Sequence, residues 1–278
     1  MLAREWPLAV FTVLAQAAVG LFLALVLPMA LSARVSEGGA GPALARALLV
    51  VLALLAAGGA FSFFHLGNPR NAPRTLANLK TSWLSREILF EIVFAGLLSL
   101  LIALEGASLG PRSVRTGVYA LGGLAGVALI LSMANIYRLK TVPSWNRPVT
   151  PVSFFLTALA VGSVGALIAV ETGLFGISGA FFPFPVVLKA SAVGFLCLSF
   201  ATAFLFDSVY GLLRTRRIPV EARTSAARLG FFVLRLGLLG FAVAAVAAIG
   251  TPPALAAVLI SEGLGRALFY ASFRKAGL

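Results

Sequence analysis

The chain holds one histidine, His65, where a long apolar run ends and an Arg/Lys-bearing loop begins. A carboxylate, Glu87, stands where the next apolar run starts, so both side chains come to the same membrane boundary. Ionisable groups are expensive to place at or inside a bilayer, which makes them functional candidates by default. Histidine titrates near neutral pH, and a carboxylate beside it is a second proton acceptor. Two such groups at one interface suit the removal of protons from a lipid-soluble donor. Blander accounts remain open. A boundary histidine is tolerated without a task, and a glutamate near a helix start is favoured by the helix dipole.

The elements that position them follow from composition. Hydrophobic residues make up 60% of the chain and charged residues 11%, with a mean hydropathy of +1.02, whereas soluble domains carry about 25% charged residues. This is a polytopic membrane protein. Its apolar runs are long and do not alternate, so they are helices whose backbones satisfy themselves in hydrocarbon. Eight spans are predicted within a single all-α membrane domain covering 1–278: Leu8–Leu31, Leu44–Phe64, Ile88–Leu104, Thr116–Ala134, Val152–Val170, Ala190–Phe206, Leu229–Ile249 and Pro252–Tyr270. The first exceeds the apolar core of a secretory signal, about 7–15 residues, and is predicted to stay in the mature protein. The loops are short, and no soluble domain is expected.

One cysteine, Cys197, falls inside a span and can make neither an intrachain disulfide nor an iron–sulfur ligand set. A haem held by two histidines is excluded by the single histidine, and nothing places Met29 or Met133 opposite His65. The expectation is no haem, no iron–sulfur cluster and no other metal in this chain. Redox work would fall to a diffusible cofactor, with electrons passed to another subunit.

Lys and Arg divide unequally between the two surfaces. The side holding both termini and the loops after spans two, four and six carries fifteen, among them Arg70, Arg74, Lys80, Arg86, Arg138, Lys140, Arg147 and the cluster Arg214-Thr215-Arg216-Arg217. The other side carries five: Arg34, Arg46, Arg112, Arg115 and Lys189. The positive-inside rule assigns the richer side to the cytoplasm. A basic face also forms where an acidic partner docks, and Arg70, Arg74, Lys80, Arg138, Lys140 and Arg147 are the candidates for that. The run Gly122-Gly123-Leu124-Ala125-Gly126 reads as close helix packing.

Between spans two and three, Gly67 and Pro69 are predicted to stop the second helix just after His65. Ser82 or Ser85 is placed to cap the third, with Glu87 in its first turn. Trp83 fits an interface-belt aromatic.

Taken together, these residues resemble the membrane anchor subunit of the dimethyl sulfoxide reductase family. Glu5-Trp6-Pro7-Leu8 with Phe11-Thr12-Val13 resembles its opening. His65-Leu66-Gly67 with Pro69, and Ser82 through Ile88, resemble its most characteristic loop. Tyr137, Pro143, Trp145-Asn146 and Thr150-Pro151 followed by Phe154-Phe155-Leu156-Thr157 resemble the loop after its fourth span. Glu262, Gly265-Arg266, Phe269-Tyr270 and Ala271-Ser272 resemble its end. Arg86 before Glu87, and the strongly basic loops, depart from the family pattern.

The resemblance implies an eight-helix, haem-free subunit that oxidises menaquinol to menaquinone. It would anchor a molybdopterin catalytic subunit and a four-cluster iron–sulfur subunit, the latter docked on the loops after spans two, four and six. In the family, the histidine of the His-Leu-Gly piece and the glutamate heading the third span belong to the quinol site, which puts His65 and Glu87 there. Arg86 is placed to hold Glu87 ionised, and Trp83 and Tyr137 to wall the quinol ring. The chain would carry the quinol site but not the molybdenum site, in a bacterial or archaeal cytoplasmic membrane, with lipid around it and no nucleic-acid partner.

Two other functions fit some of the residues. Electron flow could run in reverse, with a partner oxidising sulfite and this subunit reducing quinone. Glu91, Arg235 and Glu262 could be the midplane charges of a transporter, against which the polar residues concentrate in loops on one side. Glu262 and Arg266 lie one helical turn apart, where they can pair as a structural clamp. Arg235 has no sequence-near partner and is left either to snorkel or to reach an acid on another helix, such as Glu91 or Glu262.

Overall fold

A chain in hydrocarbon must satisfy every backbone N–H and C=O internally, and this one does so with helices. The computed structural model describes residues 2–32, 40–63, 76–177, 185–205 and 222–272. Eight helices are long and apolar enough to cross a bilayer: α1 (Trp6–Leu31), α2 (Gly41–Ser62), α3 (Trp83–Gly106), α4 (Arg112–Ile136), α5 (Val149–Glu171), α6 (Pro185–Leu205), α7 (Ala227–Ile249) and α8 (Thr251–Ala271). There is no strand among the described residues, so the bundle is all-α as the apolar runs imply. His65, Gly67, Pro69, Arg70, Arg74 and the cluster Arg214-Thr215-Arg216-Arg217 lie outside the described residues.

Two helices form the middle of the bundle. In α1 and α5, 72% and 67% of the spanning window is buried, against 22% in α3 and 28% in α6. α1 packs along α2, α5 and α8 and touches α4, while α5 also meets α6 and α8. The peripheral helices show lipid a row of apolar side chains, such as Ile92, Leu121, Leu124, Leu234 and Ile260.

Small residues decide how close the central pair comes. α1 and α5 cross at Gly20 and Gly162, where a methyl group on Gly162 would stand 2.5 Å from the Gly20 Cα and nearer still to its carbonyl. The glycine run of α4 works differently, as a set of notches. Gly122 receives the Phe22 ring and Gly126 receives Val19, each with an atom 2.9 Å from where a Cβ would be. Association through small residues is what a bilayer permits, since lipid tails are as apolar as leucine.

Among the described residues, π-turns interrupt the regular helices. Pro28 lacks the N–H that a regular turn would use, and just before it the chain widens into a π-turn over Phe22–Val26, closed by Leu27 N–H on the Phe22 carbonyl. A second, Ala245–Ile249, ends α7 at Gly250, whose φ of 140° is open to glycine and lets α8 start at once.

Candidate functional site

The site is built from the end of the bundle where α1 begins and α2 ends, a side marked by the edge-on contact of Trp6 with Phe61. α3 starts on that side. Its cap is Ser82, in extended conformation with φ −106° and ψ 120°, whose hydroxyl accepts the Ser85 N–H at 3.2 Å. With the cap at Ser82 and the helix under way at Trp83, Glu87 falls beyond the first turn. It is therefore not the dipole partner that a start nearer Ile88 would make it. It sits about 6 Å along the helix from Trp83, at 1.5 Å per residue, and is 5% exposed.

Arg86, its neighbour in sequence, points elsewhere. Successive helix positions diverge by about 100°, and the Arg86 guanidinium donates to the carbonyls of Leu79 at 2.8 Å and Lys80 at 2.7 Å. It also lies 4.2 Å from the centre of the half-exposed Trp83 ring. Arg86 and Trp83 thus brace the loop entering α3, whereas Glu87 turns into the bundle.

Tyr137 lies within electrostatic reach of it. This residue closes α4 and is buried, its hydroxyl 3.0 Å from that of Tyr270 near the end of α8. Around its ring stand Trp145, Phe154, Phe269 and Tyr270, with centroids 5.4–5.7 Å away. The loop from Tyr137 to α5 is tied down on the end of α8. Trp145 stacks on Phe269 and donates its Nε1–H to the Phe269 carbonyl at 2.8 Å, and the Ser144 hydroxyl donates to the Ser272 carbonyl at 2.9 Å. Burial pushes the Tyr137 phenol well above its usual range, and Tyr270 and the nearby Glu87 carboxylate push it the same way. Tyr137 therefore stays a neutral hydroxyl, able to donate one hydrogen bond and accept another. Among the described residues its hydroxyl bonds only Tyr270.

Below this layer lies a second one. Glu262, Arg266 and Tyr270 recur at four-residue spacing and so share one face of α8. Arg266 is 3% exposed and lies 3.6 Å from the centre of the Phe154 ring. It donates to Gln16 Oε1 on α1 at 2.9 Å and to Thr157 Oγ1 on α5 at 3.2 Å. Thr157 donates in turn to Glu262 Oε2 at 2.7 Å, and Arg235 of α7 approaches the same oxygen at 3.7 Å. Arg235 can come in because residue 265 is glycine, where a Cβ would stand 2.6 Å from the guanidinium carbon. The helical spacing points to a direct Glu262–Arg266 pair. The link instead runs through Thr157, because the Gly20·Gly162 crossing carries Gln16 and Thr157 up to Arg266. Of the two partners open to Arg235, it takes Glu262.

The opposite boundary is occupied by closed pairs. Glu105 accepts from Arg115 and from the Tyr119 hydroxyl, each at 3.2 Å, beside a pocket of about 220 Å³, and Glu171 accepts from Thr251 at the start of α8.

Of the sequence candidates, then, Glu87 and Tyr137 are both buried and within electrostatic reach of each other, Arg86 and Trp83 form an outer rim, and His65 lies outside the described residues. Gln16 and Thr157 are additions. A lone amide in the apolar first span marks Gln16, while Thr157 stands in the sequence only as the last residue of the Phe154-Phe155-Leu156-Thr157 run, with nothing to mark its bond to Arg266.

Comparison with known proteins covers nearly the whole chain. A family model described as DMSO reductase anchor subunit (DmsC) matches residues 2–271. The protein is 28% identical over 280 residues to the C component of the anaerobic dimethyl sulfoxide reductase of Haemophilus influenzae, covering 96% of its own length and 94% of that relative. It is 32% identical over 163 residues to the Escherichia coli protein of the same description, covering 57% and 55%. It is 36% identical over 165 residues to the C component of the sulfite dehydrogenase of Allochromatium vinosum, covering 54% and 50%.

Proposed function

Because this chain belongs to the DMSO reductase anchor subunit family, we propose that it oxidises a quinol of the menaquinol class at the boundary where Glu87 and Tyr137 lie. Its partners are a four-cluster iron–sulfur subunit, which receives the electrons, and a molybdopterin catalytic subunit beyond it. The chain holds both to a bacterial or archaeal cytoplasmic membrane, with the termini and the loops after α2, α4 and α6 on the cytoplasmic side. The observation that carries this reading is a buried glutamate within electrostatic reach of a buried pair of hydrogen-bonded tyrosines, near the ends of the spans.

Oxidation breaks two O–H bonds of the quinol and releases two protons and two electrons, leaving quinone. A base must lie within hydrogen-bond reach of the proton it takes. One quinol hydroxyl, placed between Tyr137 and Glu87, gives its proton to the Glu87 carboxylate while its oxygen accepts from the Tyr137 hydroxyl. His65 takes the second proton. Both electrons leave for the docked cluster. Trp83, with Arg86 against its ring, forms the rim at which the quinol head enters from lipid. Lys80, Arg138 and Lys140, all exposed on that side, face the docked partner.

A second reading keeps the site and reverses the flow, so that a sulfite-oxidising partner supplies electrons and the chain reduces quinone. The likeness to a component of a sulfite dehydrogenase favours it. The midplane charges that would serve a transporter pair with each other here, Arg235 with Glu262.

The test uses the assembled complex carrying Glu87→Gln. Turnover driven by a short-chain naphthoquinol falls about 100-fold or more, the usual worth of a general base, while turnover driven by reduced viologen is kept. Naphthoquinol turnover at the wild-type rate would remove Glu87 from the chemistry.

A further inference from the structure

We infer that the pocket at the boundary opposite the Glu87 end binds the phosphate of an anionic phospholipid, held by the guanidinium groups of Arg112 and Arg115. The site is separate from the proposed quinol site and does not depend on it.

The cavity, about 220 Å³, lies between the end of α1, the start of α2 and the turn that joins α3 to α4. Its charged walls are Glu105, Arg112 and Arg115, with Ser108 and Thr116 beside them. Glu105 is 4% exposed, and both its oxygens are taken: Oε2 by Arg115 Nη1 and Oε1 by the Tyr119 hydroxyl, each at 3.2 Å. Gly41 of α2 backs it, since a Cβ there would stand 3.3 Å from Oε2. The carboxylate therefore fixes Arg115 and offers the cavity no base. A second quinol site would need an acceptor free to take a proton, which this carboxylate is not. Arg115 gives one N–H to Glu105 and keeps its others. Among the described residues Arg112 has no hydrogen-bond or ion-pair partner.

With Glu105 offsetting one guanidinium, the described walls keep one net positive charge, which matches the single negative charge of a phosphodiester. Guanidinium groups suit phosphate oxygens in geometry as well as charge. Ser108 adds a hydroxyl donor from a left-handed backbone with φ 52°, a conformation that ordinarily selects glycine. The placement of the arginines also runs against topology. Lys and Arg gather on the other surface, fifteen to five, yet two of the five converge on this cavity. Glu105 accounts for one of them and leaves the other for an outside anion. Ala30, Pro42 and Leu44 form an apolar side, at the ends of the spans, where the glycerol and first acyl carbons of a lipid lie. The volume is below the roughly 300–1,000 Å³ of sites that enclose whole small molecules. It suits a head group whose tails stay in the bilayer, so the phosphate belongs to a lipid rather than to a free ion.

The experiment follows lipid binding to the delipidated, assembled complex by native mass spectrometry, with dioctanoyl phosphatidylglycerol, dioctanoyl phosphatidylethanolamine or inorganic phosphate added. The first phosphatidylglycerol is expected to bind wild type about tenfold or more tighter than phosphatidylethanolamine, whose net charge is zero. Arg112→Gln, at an exposed position, lowers that affinity about tenfold, the worth of a hydrogen bond to a charged group. Arg112→Lys, which keeps the charge, stays within about threefold of wild type. Thr116→Val, a nearly isosteric change, weakens binding about threefold and carries the test if Arg112→Gln fails to assemble. Lys189→Gln, which removes another exposed cation of the same boundary, leaves the affinity unchanged. Wild-type affinity in both Arg112→Gln and Thr116→Val overturns the inference, as does equal binding of the two lipids. Displacement of the lipid by inorganic phosphate at equal concentration shows a free-anion site and overturns the assignment to lipid.

Discussion

Adding one methyl group at the centre of the bundle, Gly162→Ala, tests whether the α1–α5 crossing holds the polar layers in register. The new Cβ would stand 2.5 Å from the Gly20 Cα and closer to its carbonyl carbon and oxygen. Ordinary carbon contacts begin near 3.4 Å, so the two helices must part by at least about 0.9 Å. The atoms in the way are backbone, which cannot swing aside as a side chain would. Overpacking of this kind costs about 1–3 kcal/mol. The movement also reaches Arg266, which bridges Gln16 at 2.9 Å and Thr157 at 3.2 Å, one from each parting helix. A shift of about 0.9 Å takes the longer bond past 3.5 Å, where it ceases to be one, and losing a hydrogen bond to a charged group costs a further 1.5–3 kcal/mol or so. At about 2–4 °C per kcal/mol for a chain of this size class, the melting temperature of the purified complex should fall by at least 5 °C or so. Thermal unfolding in detergent measures it, with Gly96→Ala as the control, since a methyl there meets nothing within 4 Å. If Gly162→Ala melts within a degree of wild type, the close crossing is not what sets the register.

Other substitutions probe separate parts. Arg235→Leu strands the buried Glu262 carboxylate and should destabilise by about 3–5 kcal/mol, read as poor accumulation of the complex, with much of the loss recovered when Glu262→Gln is added. Ser82→Ala removes the cap of α3 and should cost about 1 kcal/mol, seen as a small drop in melting temperature and a larger one in quinol turnover than Ser85→Ala causes. Tyr119→Phe breaks a bond to Glu105 at the far boundary and should leave naphthoquinol kinetics at wild-type values; a tenfold change would place the site at the wrong end. Burial holds the Tyr137 proton more tightly in the folded protein than in the unfolded chain. The stability this gives is whole below about pH 10, the ordinary tyrosine value, and drains as pH rises through it. Denaturation midpoints between pH 8 and 11 should therefore fall on the alkaline side, less steeply in Tyr137→Phe.

What the sequence disclosed depended on how local the cause was. Long apolar runs define eight crossings because the bilayer leaves the backbone no alternative. The boundary position of Glu87 follows from the nearby serines, although the choice of Ser82 as cap moves it a turn deeper into α3. Glu262 and Arg266 stand out as charges in a span, but their bonding does not follow from their spacing. It depends on a glycine contact between α1 and α5 that brings an amide and a hydroxyl to the arginine. Tyr137 is a candidate in the sequence only as a ring wall near a helix end, with no sign that it is buried. Its burial comes from a loop folded over onto α8, a fact of tertiary contact that neighbours in the chain do not announce.

The bond from Arg266 to Gln16 joins residues 250 positions apart, and this gives the protein a schedule. Ribosomes add about 5–20 residues per second, so α1 enters the bilayer about 12–50 s before the arginine that will hold its amide has been made. A product cut short anywhere before α8 keeps a glutamine in hydrocarbon with its intended partner missing. Completion of translation is thereby written into the stability of the very first helix.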